Sequence, residues 1–294
     1  MNQVVSPTNA VSAPNQFVEI GGRKLAFRTI GSGQPIVLCQ RFRGNMDSWD
    51  PAFLDGLASH GFQVIVFDYS GIGLSTGERT YSPPSLAKDA IELIGALGLQ
   101  KVVIGGWSVG GIAAQIVFAM AGPKVSHVVL LATTPPGDLA KLGEQLFFDL
   151  AGKPKNDLID NTALFFEPAS AISREAAERA TARLGRRQHD LSVEVPAEWA
   201  INAIASGPRS PVFPAPAVLD AMKKTTTPIL HIGGDHDIVF PVENWYALNR
   251  QLPTLQLLTF PAAGHGPQMQ YVRESVDYIA SFIKASQAQP ASQP

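Results

Sequence analysis

A chain of 294 residues, 45% hydrophobic and 16% charged, can bury a full core and is too apolar to belong with disordered proteins. Its formal net charge of −2 gives no electrostatic reason to expect nucleic acid or an anionic membrane as a partner. The single cysteine, Cys39, excludes an intramolecular disulfide and fits a reducing compartment.

The N-terminal residues 1–15 are rich in Pro, Asn and Ser and read as a disordered tail; they lack the basic and apolar regions of a secretion signal. "QFVEIGGRKLAFRTIG" reads as a β-hairpin turning at Gly21-Gly22. "PIVLC" (35–39), "FQVIVFD" (62–68), "KVVIGG" (101–106), "SHVVLLAT" (126–133), "PILHIGG" (228–234) and "LQLLTF" (255–260) are almost continuously apolar, as parallel strands covered on both faces must be. Cys39 ends the first of these and reads as an inert buried thiol. Between the strands, "SPPSLAKDAIELIGALGL" opens with a Ser-Pro helix start and should bury Leu86, Ile91, Leu93 and Ile94. "GIAAQIVFAMAG" is apolar on most faces and should be a central helix, and "ESVDYIASFIKA" closes the domain.

This alternation predicts an α/β fold, a doubly wound and mostly parallel sheet of about eight strands, built from residues 16–133 and 211–285. Residues 134–210 carry no convincing strand but several helical patterns, including "LAKLGEQLFFDLAG" and "SREAAERATARLGRR". An insertion that long is read as a helical cap over the sheet edge, and its "RLGRR" as a solvated helix end. Residues 286–294 read as a second disordered tail. No run approaches the roughly 20 apolar residues of a membrane span. The expected location is cytoplasmic.

The stretch "GGWSVGG" places Ser108 between a strand and a helix, where open parallel sheets bind ligands. A nucleophile there takes a strained backbone, tolerates only glycine at 106 and 110, and leaves the Val109 amide free to bind an oxyanion. Serine needs a base, since its free hydroxyl is a poor nucleophile. His265, in "FPAAGHGP" after the last strand, lies at the same edge, whereas His60 and His127 precede strands at the opposite one. His189 is in the cap, and His231, inside a strand, reads as a satisfied core residue. A carboxylate must hold the histidine in one tautomer, and "GGDHDIVFP" offers Asp237, with Asp235 as the fallback. A metal site from His231, Asp235, His236 and Asp237 would need a strand residue and loop residues to converge; none is expected.

Ser108, Asp237 and His265 in that order, with the G-x-S-x-G turn, resemble the α/β-hydrolase fold family from about Gln16 to Ala285. "DYSGIGLS" and "DSWDP" are similar to two of that family's loops, the resemblance making Asp68 a structural loop-holder. Where most relatives carry His-Gly after the third strand, this sequence has Gln40-Arg41. Phe42 then matches the residue whose backbone N–H is the second oxyanion donor, while a side chain in place of glycine should strain the loop at Arg41 if positive φ is needed there. Arg41 and Arg43 flank Phe42 and either meet an acidic group on the substrate or, as the blander expectation, point outward or pair with structural acids such as Asp47 or Asp50.

Trp107 beside the nucleophile and Phe147, Phe148 and Phe166 of the cap, with Phe165 and Trp199 nearby, are candidates to line an apolar pocket for a hydrophobic substrate. The expectation is therefore a cofactor-free serine hydrolase that cleaves a small-molecule carboxylic ester or lactone through an acyl-enzyme. The alternatives are a carbon–carbon bond hydrolase or perhydrolase on the same triad, and a non-catalytic small-molecule receptor. The oligomeric state is open.

Overall fold

The computed structural model describes residues 9–205 and 212–288. Eight strands form one sheet: β1 (Gln16–Ile20), β2 (Arg23–Gly31), β3 (Gln34–Cys39), β4 (Phe62–Phe67), β5 (Val102–Trp107), β6 (Val125–Leu131), β7 (Ile229–Gly234) and β8 (Leu255–Phe260). Their order is β1-β2-β4-β3-β5-β6-β7-β8. β1, β2 and β4 pair antiparallel and every later pairing is parallel. Gly21 and Gly22 turn the first hairpin with φ of 56° and 79°, the double positive φ that a tight two-residue connection between twisted strands requires.

The helices are α1 (Pro51–Ser59), α2 (Pro83–Ala96), α3 (Val109–Ala121), α4 (Gln145–Ala151), α5 (Leu158–Phe165), α6 (Ala171–Leu184), α7 (Ala197–Ala205), α8 (Pro216–Lys224), α9 (Glu243–Tyr246), α10 (Pro267–Gln270) and α11 (Val272–Ala288). Every residue of β5 and β7 is buried, because helices cover both faces of the sheet centre. α3 buries an unbroken run from Gly110 to Phe118 and is central, as its composition implies. Cys39 is fully buried, and burial pushes its thiol up to about 12, which keeps it protonated and inert.

The local readings need four corrections. α2 buries Leu86, Ala87, Ala90, Leu93 and Ile94, a stripe at helical spacing that leaves Ile91 on the flank, half-buried. The "LAKLGEQLFFDLAG" helix begins only at Gln145; Lys141 is held outside it, its N–H donating to Asn244 Oδ1 at 2.9 Å. Part of each expected tail is ordered. Ala10 and Ala13 are buried, Ala10 N donating to Asp55 Oδ1 at 2.7 Å, and α11 runs to Ala288. Residues 1–8 and 289–294 of the expected tails, and 206–211 at the junction of the expected insertion and core, lie outside the described residues.

The fourth correction concerns "RLGRR", which is no solvated helix end. Arg183 forks onto Asp50, with Nε and Nη2 at 2.8 and 2.6 Å from Oδ2, and Arg187 is buried beside Asp47. Asp50 also caps α1 by accepting the Ala52 N–H at 3.0 Å. One buried carboxylate thus fixes a core helix and anchors α6 of the inserted segment. Removing it leaves the Arg183 guanidinium without its carboxylate, so Asp50→Ala is expected to cost about 3 kcal/mol, measured by urea unfolding with an unchanged m-value.

Candidate active site

Ser108 joins β5 to α3 with φ 60° and ψ −127°, a conformation that L-residues hold only under constraint. The constraint is visible. Its N–H donates to Leu131 O at 3.0 Å, and its carbonyl accepts from Gly111 N at 2.9 Å and Thr133 Oγ1 at 2.7 Å. The flanking glycines are obligatory on steric grounds. A Cβ at Gly106 would lie 2.1 Å from Gly110 O, and one at Gly110 would lie 2.2 Å from Cys39 O.

The loops after β7 and β8 bring Asp237 and His265 together. Asp237 Oδ1 accepts the N–H groups of Val239 and Phe240 at 2.8 and 3.0 Å, which orients the carboxylate. His265 Nδ1 lies 3.0 and 2.9 Å from its two oxygens. This contact assigns the proton to Nδ1 and leaves Nε2 as the basic nitrogen. Both groups are buried, at 3% exposure for His265 and 6% for Asp237. The histidine loop is pinned twice more: Trp107 Nε1 donates to His265 O at 2.6 Å, and Gly266 N donates to Phe165 O at 2.8 Å. Ser108 and His265 line one cavity of about 590 Å³.

The other histidines lie elsewhere. His60 pairs with Asp277 at 3.1 Å, and His189 is exposed. His127 lies inside β6 rather than before it, where burial pushes its imidazole down to about 4. His231 is buried inside β7 and stacked on Trp245 at 4.7 Å, a core residue as expected. Burial pushes it down to about 3, so it stays neutral. Asp235 faces solvent and holds exposed His236 at 2.6 Å, with no contact to His265. Among the described residues no three His, Cys, Asp or Glu side chains gather as a metal would need.

Gln40 is buried and ties the β3–α1 loop. Its Oε1 accepts Arg41 N at 2.7 Å, its amide nitrogen donates to Asn45 O, and its carbonyl accepts the Tyr69 hydroxyl at 3.2 Å. The strain expected at Arg41 falls instead on Arg43, at φ 55°. Arg43 is held there from both ends: its N–H donates to Tyr81 Oη at 2.8 Å, and its guanidinium donates to the carbonyls of Ala151, Lys153 and Pro154 at 3.1, 2.7 and 2.8 Å. Among the described residues the Phe42 and Val109 N–H groups have no acceptor. The expectation that Arg41 and Arg43 pair with Asp47 or Asp50 fails, because Asp47 is claimed by Arg28 and Arg187 and Asp50 by Arg183.

The cavity walls also differ from expectation. Phe147 and Phe165 line it, but Phe166 is 4% exposed within the core and Phe148 packs edge-on against Phe147. Trp107, 1% exposed, lies beneath Arg41 and behind the surface. Polar groups, among them Arg41, Asn45, Asn161 and Ser192, share the wall, so the pocket is not the apolar one the aromatic residues suggested. Tyr81 went unnoticed in the sequence because its hydrogen bond spans 38 residues and no local pattern marks it.

The alpha/beta hydrolase fold family matches residues 34–271, and the chain belongs to that family. Its sequence is 28% identical over 270 residues to a Synechocystis protein named for non-heme chloroperoxidase, covering 88% of this chain and 94% of that one. It is 24% identical over 261 residues to the pimeloyl-[acyl-carrier protein] methyl ester esterase of Pseudoalteromonas atlantica, covering 88% and 97%. An alpha/beta hydrolase fold protein from Chitinophaga pinensis superposes with a TM-score of 0.80 at 27% identity, covering 95% of this chain and all of that one.

Gly110 tests the close approach that shapes the turn. With Cβ contacts at 2.2 and 2.6 Å to the backbone oxygens of Cys39 and Gln40, Gly110→Ala must displace main chain. The expected loss is about 1–3 kcal/mol in urea unfolding, together with slower labelling of Ser108 by a fluorophosphonate.

Proposed function

We propose that the chain is a serine hydrolase that cleaves a carboxylic ester or lactone of a small molecule through an acyl-enzyme. The reading is carried by one observation: a histidine clamped at Nδ1 by a buried carboxylate lines the same cavity as a serine on a strained, glycine-flanked turn. His265 Nε2 takes the Ser108 proton as the oxygen attacks the acyl carbon, and Asp237 stabilises the imidazolium. The negative charge on the acyl oxygen is met by the unclaimed N–H groups of Phe42 and Val109, aided by the N-terminus of α3. His265 returns its proton to the leaving alkoxide, then activates water to release the acid. No step requires a cofactor.

A second reading shares this chemistry to the acyl-enzyme. Hydrogen peroxide in place of water would release a peracid, which oxidises halide to the hypohalous acid; the relative named for non-heme chloroperoxidase favours it. The two readings differ in the nucleophile that ends the cycle, not in the triad.

Assay on p-nitrophenyl esters and lactones is the direct test. Wild type is expected to turn over and to be labelled at Ser108 by a fluorophosphonate, and Ser108→Ala to do neither. Asp237→Asn leaves the histidine without its orienting anion and is expected to lose about 10⁴ in kcat. Halogenation of monochlorodimedone with peroxide and acetate, exceeding ester turnover, would favour the second reading. A wild-type enzyme inert in every assay and unlabelled by phosphonate would remove both.

A further inference from the structure

Of the two arginines flanking Phe42, one is fully engaged and the other is not. Arg43 spends its guanidinium on three backbone carbonyls. Arg41 lines the cavity with Ser108 and His265 but makes a single side-chain hydrogen bond, from Nη1 to Phe42 O at 2.8 Å. Its Nε is sealed from solvent without a partner, and no carboxylate among the described residues lies within ion-pair distance of it. Two acids share the cavity wall: Asp47 is neutralised by Arg28 and Arg187, and Glu194 is exposed and makes no ion pair with Arg41 among the described residues.

The guanidinium is nonetheless fixed. It lies over Trp107 at 5.1 Å and over Phe165 at 4.9 Å, the two rings that also pack at 6.3 Å against His265. Aromatic faces hold a cation in place without neutralising it. Burial draws Arg41 down to about 10, so it remains charged at neutral pH while losing hydration. A half-buried, oriented cation that lacks a counter-ion beside a reactive serine is stabilised by an anion brought in from outside.

We propose that Arg41 anchors a carboxylate of the substrate, so that the ester or lactone cleaved at Ser108 is itself an anion, such as a monoester of a dicarboxylic acid. This rests on the hydrolase reading above and narrows its substrate class. With Nη1 spent on Phe42 O and Nε sealed, Nη2 is the guanidinium nitrogen left to meet a carboxylate. Exposed Lys155 on the same wall adds positive potential along the approach.

The test compares p-nitrophenyl hydrogen glutarate with neutral p-nitrophenyl pentanoate. Wild type is expected to prefer the acidic ester in kcat/KM by at least about tenfold, and Arg41→Met to lose about 10- to 100-fold on it, mostly through KM. The acidic ester should lose at least about tenfold more than the neutral one in that variant, and Arg41→Lys should recover part of the loss. Independently of any variant, glutarate should inhibit neutral-ester hydrolysis competitively and at least about tenfold better than glutaramide. Absence of a wild-type preference, or equal losses on both esters, overturns the proposal.

Calorimetry of glutarate binding to Ser108→Ala, with and without Arg41→Met, separates the two readings. Arg41-dependent binding in an enzyme that hydrolyses no ester would retain the anion site and discard the esterase. Ester turnover without such binding would do the reverse.

Discussion

At residues 106–110 the first turn of α3 is pressed against the carboxyl end of β3 so closely that only hydrogen fits between them. That contact forces Ser108 into its positive-φ conformation and aims the N-terminus of α3 at the cavity. Holding one residue there costs about 1–3 kcal/mol. The surrounding structure can impose it because β5 and the first nine residues of α3 after Val109 are buried without interruption. A turn attached to a half-exposed helix would relax; this one is flanked by fully buried segments on both sides. The same contact sets the backbone of Cys39 and Gln40, where the β3 loop begins, directly against Gly110.

His265 is set from two sides. The sheet supplies the loops that carry Asp237 and His265, and the inserted helices supply Phe165, whose carbonyl takes the Gly266 N–H and whose ring packs against the imidazole. Trp107, next to the serine in sequence, holds the His265 carbonyl. The orientation of the histidine therefore depends on the insertion as much as on the sheet. Phe165 also forms a wall of the cavity and a face for Arg41, so one ring touches the cavity, the guanidinium and the imidazole.

The sheet was legible because a parallel strand covered on both faces must be apolar throughout, and such runs end within a residue or two of the observed strands. Ser108, Asp237 and His265 were legible for a related reason: each stands in a loop punctuated by glycine at the carboxyl edge of a strand. What could not be read was anything decided by rotation or by distant partners. Phe147 and Phe148, like Phe165 and Phe166, are neighbours whose opposite fates follow from the angle at which a helix or its end meets the core. Arg41 and Arg43 are the same residue type in one loop, separated only by Tyr81 and by carbonyls more than a hundred residues away. "RLGRR" read as solvated because its acids, Asp47 and Asp50, are distant in sequence, Asp50 lying 133 residues before Arg183.

The Arg43 tether carries an implication for how sequences on this scaffold can drift. All three of its acceptors are main-chain oxygens, contributed by Ala151, Lys153 and Pro154. Side chains along that stretch can change without removing an acceptor, whereas a deletion there would shift the carbonyls out of register. Position 43 has no such latitude, since no shorter or unforked side chain reaches three carbonyls at once. Variation should therefore concentrate in the identity of residues 151–154 and spare both their number and the arginine that reads their backbone.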